Sequence, residues 1–144
     1  MKASGFTLIE LMIAVAIFAV VSSIAIPLYT QYSERGFRTE LTADLMNCAQ
    51  AMERFNAINF TYVGTNTGGD DTPPDVGVCN PSSVQAGRYA ITAVTTANTF
   101  VLTAEPAGSM TDTGHLTLSQ TGARIWDENN NNVDDAGESD WHEG

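Results

Sequence analysis

Three features of the 144-residue sequence predict an α+β fold, a long N-terminal helix packed on a small antiparallel β-sheet. The chain begins with an apolar run, Phe6 to Leu28, whose one strongly polar member is Glu10. Apolar residues then recur at helical spacing as far as about Asn56, with charges on the other faces. After a stretch rich in Gly, Pro, Asp and Thr come short segments that alternate apolar and polar, as half-buried strands do. The length allows one small domain with appendages. Acidic residues outnumber basic ones by 17 to 6, for a net charge of -11, and the five arginines and single lysine never form a run. Neutralising phosphates takes clusters of Lys and Arg, so no nucleic-acid partner is expected. Two histidines and two cysteines, each pair far apart, offer little for a zinc site or a Cys/His nucleophile, and no catalytic set is recognisable.

As a helix, Phe6 to Leu28 spans about 35 Å, long enough to cross a bilayer. A secretory signal places its small-residue cleavage site after the apolar stretch; here Ala3, Ser4 and Gly5 precede it. A cut after Gly5 keeps the helix. A plain signal anchor or a buried core helix would be equally apolar, but neither explains Glu10. A carboxylate one turn into a membrane helix is costly and calls for a partner. The new amine on Phe6 would lie four residues away on the same face, and also near the equivalent carboxylate of an adjacent copy. Glu10 therefore reads as an assembly device.

The string Gly5-Phe6-Thr7-Leu8-Ile9-Glu10-Leu11-Met12, with the apolar run and Ala25-Ile26-Pro27 behind it, closely resembles the prepilin signature of type IV pilins, in particular type IVa. The resemblance is strong over about the first 30 residues and loose beyond. It implies a pilin fold, a five-residue leader (1–5), cleavage between Gly5 and Phe6 by a prepilin peptidase, N-methylation of Phe6, and subunit docking through Glu10. It also implies that the helix around Pro27 loosens on assembly. The partners implied are other pilin subunits and an inner-membrane assembly platform. The expected location is the bacterial inner membrane, single-pass with the head in the periplasm, and then the extracellular pilus.

Residues 6–28 are thus read as the transmembrane and assembly helix and 29–60 as its amphipathic continuation, with Tyr29, Tyr32, Phe37, Leu41, Leu45, Cys48, Met52 and Phe55 on the apolar face. Pro27 and Gly36 are candidate bends. Residues 61–87 read as a helix-to-sheet loop. Residues 88–144 hold the sheet and an acidic C-terminal loop, with strands expected at Arg88 to Val94, Thr99 to Glu105, His115 to Ser119 and Ala123 to Trp126. Phe60, Tyr62, Trp126 and Trp141 read as core, and His115 and His142 as surface residues.

In an exported chain two cysteines suggest a disulfide, here between Cys48 on the core face and Cys79 at the end of the loop, rather than two buried thiols. Many type IVa pilins instead bracket a C-terminal loop with both cysteines, so here that segment has no covalent clamp. Its sequence offers another device. Asp127, Asn129, Asn131, Asp135 and Glu138 fall on positions 1, 3, 5, 9 and 12 of an EF-hand-like loop, with the Val133 carbonyl at position 7. Asn132 stands where glycine is usual and Asp134 where an aliphatic residue is usual, and no flanking helices are expected. The segment reads either as a calcium site or as a solvated acidic turn; no cofactor is otherwise required.

The function expected is a structural subunit of a type IV pilus, a minor pilin polymerised through its N-terminal helix, and not an enzyme. A type II secretion pseudopilin shares this N-terminus. A monomeric membrane-anchored, calcium-stabilised binding protein is the alternative from another class, and it predicts no cut after Gly5.

Overall fold

The computed structural model describes residues 6–66, 73–75, 78–131, 133, 135, 137, 138 and 141. Its longest element, α1, is Leu8–Asn59. Both Pro27 and Gly36 lie inside α1, so neither ends the helix in the isolated chain. The chain divides into two units, Met1–Arg35 and Gly36–Gly144.

In the first unit the apolar side chains face outward, with Leu8 76% and Phe18 74% exposed. Tyr29 and Tyr32 are exposed as well, so the buried face expected from Tyr29 onward is not formed there. Its fully buried part begins at Leu41, where the sheet first offers something to pack against. This is a helix long and apolar enough to cross a membrane.

In the second unit Leu41, Leu45, Cys48 and Met52 recur at intervals of three and four, form one stripe of α1, and are buried against the sheet. The sheet is an antiparallel meander, β1 (Tyr89–Thr95), β2 (Phe100–Pro106), β3 (Leu116–Ser119) and β4 (Arg124–Trp126), in spatial order β1-β2-β3-β4. Alternation puts Tyr89, Ile91 and Ala93 of β1 and Phe100, Leu102 and Ala104 of β2 on the face that meets α1. Each strand starts about where the alternation placed it. The first hairpin is displaced by one residue because Thr95 pairs with Phe100, which leaves Thr96–Thr99 as the turn. Thr96 N–H donates to Thr99 O at 2.8 Å, and the two hydroxyls meet at 2.7 Å.

The expected 61–87 loop contains a short helix, α2 (Ser82–Gln85). Two acids of α1 hold its start: Ser83 N–H donates to Asp44 Oδ2 at 2.8 Å and Ser82 Oγ to Glu40 Oε1 at 3.0 Å. The Cys48–Cys79 disulfide forms as expected, tying this loop to the core face of α1. A cross-link of this span contributes on the order of 3 to 4 kcal/mol in the chain-entropy picture.

Phe60 departs from its expected core role. Tyr62 is buried, edge-on to Phe100 with centroids 5.0 Å apart, but Phe60 is 85% exposed. Burial and the hydrogen bond to Glu53 raise the Tyr62 pKa above the usual phenol range. Phe60 takes φ +56° immediately after α1, its N–H closing on Asn56 O at 2.7 Å. It fills the left-handed position that usually ends a helix with glycine, and that backbone turns its ring into solvent. Phe60→Gly should therefore stabilise the head by about 1 kcal/mol. Denaturant unfolding of the full chain in detergent checks this; a loss of stability would show that the ring packs on something.

Candidate functional site

Two places in the chain carry the residues singled out by sequence. The first is the start of α1. Gly5, half of the expected cleavage pair, lies outside the described residues, and Phe6 is 86% exposed. Glu10 is bound to Thr7: its Oε2 accepts from Thr7 N–H at 3.1 Å and from Thr7 Oγ1 at 2.9 Å, while Glu10 N–H donates to Thr7 Oγ1 at 3.3 Å. This is a capping box, Thr-x-x-Glu, in which two orphan donors of the helix start are satisfied reciprocally. The pattern stands in the sequence as Thr7-Leu8-Ile9-Glu10, and the assembly reading of Glu10 passed over it. The pairing with an amine on Phe6 concerns the cut chain, whose new terminus would adjoin Thr7.

The second place is the acidic loop after β4. Asp127 is fully buried, with Oδ1 accepting Asn131 N–H at 3.0 Å and Oδ2 facing His115 Nδ1 at 3.2 Å. Asn129 Nδ2 donates to Glu138 Oε1 at 2.9 Å, and Asn131 Nδ2 to Asp135 Oδ2 at 2.8 Å. Val133 N–H donates to Asn131 Oδ1 at 2.7 Å and Asp135 N–H to Glu138 Oε2 at 3.0 Å. All the expected ligand residues thus belong to one hydrogen-bonded turn; Asn132 and Asp134 lie outside the described residues. Among the described asparagines, Asn130, with φ +53°, lies in the left-handed region. Among the described residues no three His, Cys, Asp or Glu side chains gather as metal ligands do, because amide groups stand between the carboxylates.

Below the loop lie the tryptophans, buried as expected. Trp126 Nε1 donates to Thr113 O at 3.0 Å and Trp141 Nε1 to Ile125 O at 3.1 Å, so each indole satisfies its one donor. His115 corrects the surface expectation, being 9% exposed. Gly114, at φ +73°, turns the chain so that His115 passes beneath Asp127, and Asp127 N–H donates to His115 O at 3.0 Å. His142 lies outside the described residues.

Three of the four head arginines are spent on rings and an ion pair; Arg54 is exposed. Arg38 stacks over Trp126 at 3.8 Å, Arg88 over Phe37 at 4.4 Å while bonded to Glu40, and Arg124 over Trp141 at 5.2 Å. Such cation–π contacts orient the side chains along the core edge instead of presenting a basic face.

An apolar helix start long enough to cross a membrane and a head of one helix on a four-stranded antiparallel meander are the elements of a pilin-type fold. The family model described as "Type IV minor pilin ComP, DNA uptake sequence receptor" matches residues 27–117, and that of the prokaryotic N-terminal methylation motif matches residues 1–26. The chain belongs to the ComP family of type IV minor pilins. It is 36% identical over 94 residues to the type IV major pilin protein PilE1 of Neisseria gonorrhoeae, a match spanning 65% of this chain and 40% of that protein. A solved type IV pilin from Shewanella oneidensis is similar over 72% of this chain and 98% of its own, with TM-score 0.47 and 21% identity.

Proposed function

We propose that this chain is a structural subunit of a type IV pilus, a minor pilin. Phe6 to Leu28 inserts it in the inner membrane, a prepilin peptidase cuts between Gly5 and Phe6 and methylates the new amine, and an assembly platform adds the subunit to the filament through α1. The observation that carries this is the outward-facing apolar run with a single carboxylate in its first turn, inside a matched methylation motif. In water that surface is a liability; packed with the same surface of other subunits it becomes the cohesion of a filament. Intact mass is the direct test. The mature chain should begin at methylated Phe6, and a chain beginning at Met1 would favour the anchored monomer. Recovery of the protein with sheared surface pili separates a pilus from a pseudopilus.

The matched family's description names a DNA uptake sequence receptor. The net charge of -11 and the arginines engaged on Trp126, Phe37 and Trp141 favour the structural role for this chain.

The acidic loop supports a second reading, a calcium-stabilised turn. Its donors are oxygens, which suit a hard cation, and Asn131 N–H on Asp127 Oδ1 already fixes position 1 against position 5. Turning the Asn129 and Asn131 amides over would replace NH2 by oxygen towards the Asp135 and Glu138 carboxylates. Asp127, Asn129, Asn131, Asp135, Glu138 and the Val133 carbonyl would then hold the ion. For a Kd of about 0.1 to 1 mM, 1 mM calcium should add roughly 0.4 to 1.4 kcal/mol to the head, seen as a rise in Tm. Asp135→Asn with Glu138→Gln should remove the response. Asp127 is the wrong residue to replace, because it is buried on His115. Superimposable melts in calcium and in chelator would leave only a solvated turn.

A further inference from the structure

A groove between α1 and the β3–β4 turn has no part in either reading above. It is an open groove of about 440 Å³, walled by Met46, Ala49, Phe100 and Leu118, with Arg54, Arg124 and Glu53 along it. In a chain of net charge -11, two guanidinium groups against the one carboxylate of Glu53, which accepts from Tyr62 Oη, leave the groove with a net positive charge. Arg124 is stacked on Trp141, whereas Arg54 is exposed and makes no hydrogen bond, ion pair or ring contact with any described residue.

Side chains of matching chemistry occur on the same chain. Val133 is 55% exposed on the acidic loop, and Glu128 and Asp135 of that loop are exposed carboxylates. The loop cannot reach the groove of its own head, because β4 runs antiparallel to α1 between them. At the loop end of β4, Trp126 lies under Arg38; at the other end Arg124 reaches Met46 Sδ at 3.7 Å. The loop end therefore sits beside residue 38 of α1 and the groove beside residue 50, about 18 Å apart along the helix axis.

We propose that the groove receives the Val133 loop of a second copy displaced along the α1 axis, with Glu128 of that copy against Arg54. An aliphatic tip enters an apolar groove, and acid meets base at its rim. Burial of the tip holds the contact, and the rim charges select the partner. A contact between two different patches does not close on itself, so it repeats from head to head. The proposal rests on the pilus-subunit reading and adds to it that copies of this pilin stand next to one another.

Charge exchange and cross-linking test it in the full chain in cells. Arg54→Glu and Glu128→Arg, each alone, should lower the amount of this pilin in sheared filaments several-fold, and the two together should restore it. With Gln50→Cys on the groove and Val133→Cys on the loop, mild oxidation should give a ladder of disulfide-linked copies; either cysteine alone, or Gln50→Cys with Glu105→Cys, should not. Filaments that contain the double-cysteine chain without a ladder overturn the proposal and leave the pilus reading standing. So does a cross-link from Gln50→Cys to a different pilin in place of Val133→Cys. Absence of the wild-type chain from filaments, with no ladder in membranes, overturns both.

Discussion

Replacing Glu10 by alanine will leave the chain in the membrane and cut its incorporation into filaments by about tenfold or more. Insertion should survive because the change removes the one strongly polar residue from the Phe6 to Leu28 run. Incorporation should fail because the amine of the mature Phe6 would then enter the apolar filament core without a counter-charge. The capping box adds a rival explanation, since Glu10 also closes the start of α1 on Thr7. Glu10→Gln separates the two. Glutamine keeps the capping box, which accepts Glu or Gln at that position, but cannot neutralise an amine. If charge pairing sets docking, Gln should fail as Ala does; if Gln assembles normally, Glu10 serves only the helix start. Immunoblots of the membrane and sheared fractions read both steps.

Much of this fold is written in local patterns. The membrane-length run and the stripe Leu41, Leu45, Cys48, Met52 follow from periodicity, and the four strands follow from alternation with turn residues between them. The disulfide was legible from compartment and position. What periodicity cannot carry is a residue whose surroundings come from elsewhere in the chain. His115 is buried because Gly114 turns it under a carboxylate twelve residues on, and α2 exists because Glu40 and Asp44, some forty residues earlier, hold its first turn. Phe60 reads as core by its side chain, but its backbone position decides the matter. The capping box was readable and was missed because a stronger use for Glu10 came first. At the acidic loop the spacing pointed to ligand positions around one ion or to a solvated turn; the hydrogen bonds that join these residues to one another were not in that reading. The inward carboxylate and the amides between the others are three-dimensional facts that spacing does not contain.

Among the described glycines of the head, Gly114 should be the least replaceable. A Cβ there would stand 1.7 Å from the Asp127 carbonyl oxygen and 3.5 Å from Trp126 Nε1, at a φ of +73° that L-residues rarely adopt. Backbone has to move to admit it. The shift separates Asp127 N–H from His115 O and pulls the Asp127 carboxylate from His115, leaving buried polar groups unpaired. Gly114→Ala should therefore cost about 3 kcal/mol or more, a fall of roughly 12 °C or more in Tm for a head of this size. Gly122 supplies the control, since it has φ +82° and nothing within 4 Å of its would-be Cβ. Gly122→Ala carries only the left-handed strain, about 1 to 2 kcal/mol. The difference between the two variants measures the clash beneath the acidic loop. Any calcium response should disappear with Gly114→Ala and survive Gly122→Ala, because only the first displaces Asp127. Equal losses of stability at the two positions would mean that the loop yields freely around residue 114, and the rigid seat assigned to Asp127 would have to be given up.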